Sequence, residues 1–435
     1  MKDSPFLTDL DSRAAVKGSR DPLGIQPIWT KMGRYLIGNL TTVTTSVRDF
    51  TTLLLGYYFA ERLASDGGGD GDLAVFLKWE QLAAYARGKI NGDWNFRGTE
   101  RAKKNLNDGI SICLSQDPKC QILSNQKMYG LWGLYTVPSR SSGLLEGDPI
   151  RLTPKARKFI EKAYLPIFKE LGFNNGDLIA QKLAPSKVSL DVKGKDLKIL
   201  KAVARILQRR ILVKERLFYE EYLLLGVHIE NNKGLQEILS GAIKSTLNDS
   251  DWRMSSDNIR YLAKFVRDKG ERGEEVSEKL ERIRICEMLM APAAALFDFL
   301  LGSEGQTIAE VAKAVYKQWG KSLKTIDVEA TALLEGDLRN ATNDNETAKR
   351  WLQISQALYE GSYEKAILLL LEQNRFVMKV RSNAAPWIDL QNDNLHVRFL
   401  DEQPRPLPEK DDLPEYWRHP YFIESLRSIA KDLQE

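Results

Sequence analysis

The residues best suited to chemistry in this chain are cations. Arg97, Arg101, Lys103, Lys104, Arg140, Arg151, Lys155 and Arg157 fall within one stretch, joined by the small hydroxyl of Ser141 and its neighbours Ser139 and Ser142. Arg and Lys beside small hydroxyls are what anchors a phosphodiester backbone, and Arg also reads a guanine edge. Residues 97–170 carry thirteen Lys/Arg against seven Asp/Glu, whereas residues 401–435 carry five against nine. The net charge of +4 decides little. The local excess is what a phosphate-facing surface requires, although a solvated basic face has the same composition. A second series, Lys198, Lys201, Arg205, Arg209, Arg210, Lys214 and Arg216, lies on one predicted long helix and carries the same two readings.

Other chemistry finds no matching pattern. Asp389, Asp393 and Asp401 cluster near a C-terminal hairpin, but no Glu-x-Lys follows them, as a metal-dependent nuclease would need. Asp177 stands too close to Gln181 and Lys182 for that role. Cys286 lies on an apolar helix face with Ile283 and Leu289 and reads as core. His228, His396 and His419 are far apart in sequence and read as packing residues. Neither a Gly-x-Ser-x-Gly nor a metal-ligand spacing of Cys or His occurs. The glycine-rich stretch at 65–72 lacks the Gly-Lys-Ser/Thr of a phosphate loop. The expectation is therefore a non-catalytic protein with no metal and no cofactor. Three cysteines, an odd number without tight spacing, argue against a disulfide framework and for a reducing compartment.

The elements that must position the cations are mostly helices. At 435 residues the chain exceeds one ordinary core. Apolar periodicity predicts two helices in 28–64, the second capped by Ser46, then helices over 73–87 and 99–109, the latter capped by Thr99 and closed by Gly109. Short strand-like segments follow at 110–114 and 120–123. Residues 129–142 form a short helix that Pro138 is expected to interrupt. Residues 143–153 read as a hairpin, and Thr153-Pro154 opens a closing helix. Residues 183–189 read as a linker. Helical periods then fill 190–380, with one long helix over 197–225 and a break at Pro292. Residues 387–399 read as a second hairpin around Asn392-Asp393-Asn394, and 421–433 as a last helix. The fold class is thus mainly α. An arm (1–27) precedes a winged-helix-like domain (28–182), a central multi-helix domain (190–380) and a small C-terminal β-hairpin plus helix (381–435). No apolar run reaches the roughly 20 residues of a membrane span. The polar, acidic N-terminus does not read as a signal peptide, so a cytoplasmic setting is expected.

Two stretches carry resemblances. GLLEGDPIRLTPKARKFIEKA (143–163) resembles the wing and closing helix of bacterial winged-helix proteins, with Ala156 where those have glycine. In that fold a helix enters the major groove and the hairpin touches the backbone. Residues 21–61 with 76–89 look like uncharacterised proteins of bacterial anti-phage defence clusters. That likeness implies a non-catalytic subunit working beside an ATPase, helicase or nuclease.

The resulting expectation is a nucleic-acid-associated accessory subunit that holds DNA, or less readily RNA, through the basic surface at 97–158. The alternative is a protein–protein scaffold that recruits an effector without touching nucleic acid. A nuclease with a dispersed metal site is a third class.

Overall fold

A computed structural model describes residues 21–64, 70–108, 111–229, 234–398 and 405–434. Most of the expected arm (1–20), residues 65–69 of the glycine-rich loop, Gly109 with Ile110, and residues 399–404 with Asp401 lie outside the described residues. The fold is mainly α, with three two-stranded antiparallel sheets among the described residues. No described helix is long and apolar enough to cross a membrane. The chain divides into two compact units. One is built from Ile37–Asn248 and Phe422–Glu435, the other from the described part of Met1–Leu36 and from Asp249–Tyr421. These lines differ from those expected at 182, 190 and 380.

Helix α1 (Ile25–Arg34) belongs to the second unit, and the first unit is built around α2 (Val47–Leu63). Every α2 residue from Val47 to Ala60 is buried, the polar Arg48, Asp49, Thr51 and Thr52 included. Ser46 takes the N-cap position but makes no side-chain cap bond; the carboxylate of Asp432 accepts from the Val47 N–H instead, at 2.9 Å. Helix α3 (Asp70–Asn91) packs along α2, with Phe59 on Trp79 at 4.8 Å and Tyr57 on Phe76 at 5.3 Å between ring centroids. In α4 (Thr99–Asp108) the Thr99 hydroxyl donates to the Trp94 and Phe96 carbonyls rather than capping the helix.

Strand β1 (Ser111–Ser115) is followed by a turn, not by a strand at 120–123. That turn returns the chain over β1, placing Cys120 5.4 Å from Cys113 between Cα atoms, and the two form a disulfide. The expectation that the cysteines form no disulfide is corrected for this pair. Helices α5 (Gln126–Tyr129) and α6 (Leu131–Ser141) come next. Pro138 lies inside α6 without ending it, because the residue is buried and its packing offsets the lost hydrogen bond. Strands β2 (Leu145–Glu146) and β3 (Arg151–Leu152) pair Leu145 with Leu152 and Glu146 with Arg151. Thr153 then caps α7 (Pro154–Ala163) through the Ala156 N–H, as expected.

Beyond α8 (Leu165–Glu170) and α9 (Asp177–Leu183), the expected linker contains the start of β4 (Lys187–Asp191). This strand pairs with β1, so residues on both sides of 183–189 share one unit. The expected long helix over 197–225 is instead α10 (Leu197–Ile206), α11 (Val213–Tyr219) and a π turn at Glu220–Leu224. The cause is Arg48. Its buried guanidinium takes the Gln208 and Arg210 carbonyls at 2.7 and 2.8 Å and pairs with fully buried Glu215 at 2.5 Å. Carbonyls turned onto that side chain cannot continue a helical ladder. Helix α12 (Leu235–Ser245) follows.

The second unit holds α13 (Ser256–Arg267), α14 (Glu271–Leu300), α15 (Ile308–Trp319), α16 (Val328–Ala332), α17 (Glu335–Thr342), α18 (Asn345–Glu360) and α19 (Tyr363–Ser382). Helix α14 runs through Pro292, where the sequence predicts a break. Residues Cys286 to Phe297 are all buried, and that packing holds the helix continuous. Strands β5 (Ile388–Gln391) and β6 (Asn394–Val397) form the expected hairpin; Asn392 and Asp393 both take positive φ, as a tight hairpin turn requires. Helix α20 (Ile423–Gln434) belongs to the first unit.

Candidate nucleic-acid interface

The cations singled out by sequence divide into those with internal partners and those without. Arg151, on β3, pairs with Asp72 of α3 at 2.5 Å. Arg157, on α7, pairs with Glu61 of α2, a carboxylate that also accepts the Leu152 N–H at 2.6 Å. Burial lifts the Glu61 carboxyl above its ordinary range, opposed by that N–H and by Arg157. Two carboxylates from the core helices therefore staple the base of the hairpin. Arg101 donates to the Leu123 carbonyl at 3.0 Å, and Lys103 lies 5.4 Å from the centre of the Trp94 ring. Arg97, Lys104 and Arg140 are exposed and make no ion pair among the described residues. Ser141 is exposed as well, but Ser139 and Ser142 are fully buried, which removes them from any ligand.

Helix α6 is positioned from a distance. Its N-cap, Gly130, has no side chain to offer. Glu80 of α3 supplies the carboxylate, accepting from the Leu131 N–H at 2.8 Å and from the Gln126 side chain at 2.7 Å. A Cβ on residue 130 would stand 2.8 Å from that carboxylate. Negative charge at a helix N-terminus is favourable, yet burial dominates and pushes the Glu80 carboxyl up to about 7. The exposed surface of α5 and α6 is largely apolar, with Met128 57%, Tyr129 52% and Val137 66% exposed.

The outer face of α7 differs. Lys155, Lys158 and Lys162 recur at helical spacing and line a cavity of about 400 Å³ together with Lys214 of α11. The floor is aromatic. Phe159 stacks on Phe218 at 3.8 Å, Phe218 on Tyr222 at 4.6 Å, and Tyr222 on His228 at 4.6 Å. The π turn carries Tyr222 into this ladder. Burial raises the Tyr222 phenol, and Lys155, hydrogen-bonded to it, opposes the shift. Glu221 is the one carboxylate in the lining. Such a groove can hold an anionic group against an apolar surface.

Sequence reasoning placed Lys155 here but missed Lys158, Lys162 and the aromatic floor, and it assigned Lys214 to a long basic helix that does not exist. The available signal was the 155, 158, 162 spacing around Phe159. Of the residues weighed for catalysis, Cys286 and His419 meet in one buried network through Tyr421 and Glu287, and Asp389 stands opposite His396 across the β5–β6 hairpin. The buried Cys286 thiol is pushed far up by desolvation. His419 pairs with buried Glu287 at 2.9 Å, an acid that also accepts the backbone N–H groups of Arg418 and His419 and the Tyr421 hydroxyl. His396 lies 3.3 Å from Glu304, and Asp389 pairs with Arg375 at 2.7 Å. Among the described residues no group of three or more His, Cys, Asp or Glu could hold a metal ion. No protein-family model, no curated protein and no solved structure matches this chain.

Proposed function

We propose that this chain is a non-catalytic, nucleic-acid-associated accessory subunit that grips a phosphodiester backbone. The observation that carries the reading is the lysine set, Lys155, Lys158, Lys162 and Lys214, gathered around one groove and, among the described residues, held by no carboxylate. Clustered cations with no internal carboxylate partner release counterions when they meet phosphate, which is the main source of backbone affinity. The helix–hairpin–helix order over α6, β2, β3 and α7 is compatible with a winged-helix-like module. The same reading assigns the protein to the cytoplasm of a bacterium, beside an ATPase or nuclease of an anti-phage assembly.

The test is fluorescence anisotropy of labelled DNA and RNA at low and raised salt. Binding that weakens steeply with salt, and that Lys158→Glu with Lys162→Glu abolishes, supports the proposal. Absence of binding at low salt overturns it.

A second reading is a protein–protein scaffold. It is favoured by the exposed apolar residues Met128, Tyr129 and Val137, which a protein partner would cover. Co-purification of a partner that is lost on Val137→Asp, with nucleic-acid binding absent, would establish this reading instead.

A further inference from the structure

We infer that the ligand of the α7–α11 groove is single-stranded nucleic acid rather than duplex; this rests on the proposed backbone-binding reading. Three features disfavour a duplex. The hairpin tip, which in a winged helix meets the duplex backbone, carries exposed Glu146 and Asp148 and no cation. The hairpin's own arginine, Arg151, is held by Asp72, and Arg157 beside it by Glu61. Helix α6, in the place of a groove-reading helix, exposes Val137 and only one cation, Arg140.

The groove supplies what a single strand needs. Lysines along its rim track phosphates, while the part-exposed rings of Phe159 and Phe218 offer an apolar floor. Unpaired bases have free faces to lay against such a surface; a duplex keeps them inside its stack. A volume of about 400 Å³ suits groups of small-molecule size, such as a base with its phosphate.

The experiment compares the full chain's affinity for oligothymidylate, oligouridylate and a blunt duplex of equal length at low salt. The expected result is binding to the single strands roughly tenfold or more tighter than to the duplex, because only unpaired bases can press apolar surface on the part-exposed edges of the Phe159–Phe218 ladder. Phe218→Leu should weaken single-strand binding several-fold without flattening the salt slope. Lys158→Gln with Lys214→Gln should flatten that slope by roughly 1.4, about 0.7 per lost phosphate contact. The thymidylate and uridylate arms decide between DNA and RNA. Duplex binding equal to or tighter than single-strand binding overturns this inference but leaves the backbone-binding proposal standing. Loss of binding in Arg140→Gln with the groove variants unaffected overturns this inference and the groove-based proposal together. No binding to any of the three probes overturns both.

Discussion

Helix α7 presents two regions that contrast although they share one short segment of sequence. On its inner side Arg157 meets the Glu61 carboxylate beneath the hairpin, while on its outer side Lys155, Lys158 and Lys162 face a groove whose lining holds only one acid. Composition cannot separate the two sets, since all four are cations within eight residues. What separates them is a carboxylate delivered from α2, distant in the chain. A buried acid turns a neighbouring cation into part of the scaffold; without one, the cation remains available to an external anion.

The largest effect expected concerns a buried acid that has no cation of its own. Glu80 titrates near 7 in the folded protein, against about 4.5 when unfolded, so the native state holds the extra proton between those values. Stability should therefore fall as pH rises through that window, by on the order of 3 kcal/mol, and Glu80→Gln should flatten the dependence. Denaturant unfolding at a series of pH values measures this; an unchanged slope in the variant would refute the assignment. Glu61→Ala comes next. It strands Arg157 and the Leu152 N–H, and should cost roughly 2 kcal/mol of unfolding free energy. A loss below about 0.5 kcal/mol, within the range of ordinary surface substitutions, would erase the contrast between the two sides of α7. Lys158→Glu with Lys162→Glu sharpens the contrast from the other side. Stability should stay within about 0.5 kcal/mol while low-salt nucleic-acid affinity drops at least roughly tenfold. Arg140→Gln should be the mildest, with less than about a twofold change in affinity and no change in melting temperature.

Local physics was legible in the sequence where it acts alone. The Thr153-Pro154 helix start, the Asn392-Asp393 hairpin turn and the apolar periods of α3 and α15 depend on neighbours in the chain, and they appear as expected. Features that depend on a distant partner were not legible. Nothing near 207–212 announces that Arg48 will claim two of its carbonyls. Pro138 and Pro292 read as helix breakers until the packing around them is known. Cys113 and Cys120 gave no spacing signal because a turn, not a motif, brings them together. At the candidate site, the cations were visible as a charge excess. Their sorting into paired and unpaired sets was not, because Glu61 and Asp72 lie 96 and 79 residues from Arg157 and Arg151.

The cap of α2 has a consequence for how the chain comes to be folded. The first N–H of this central helix is satisfied by Asp432, 385 positions later, on the helix that closes the first unit. A ribosome delivers α2 long before its capping carboxylate. The unit's core therefore waits, incomplete, while the intervening residues are synthesised. Contacts of such sequence separation make folding slow, and the waiting chain exposes its apolar helices to chaperones and to aggregation. Deleting α20 should then leave a product that accumulates in insoluble form, even though every residue of the groove is still present.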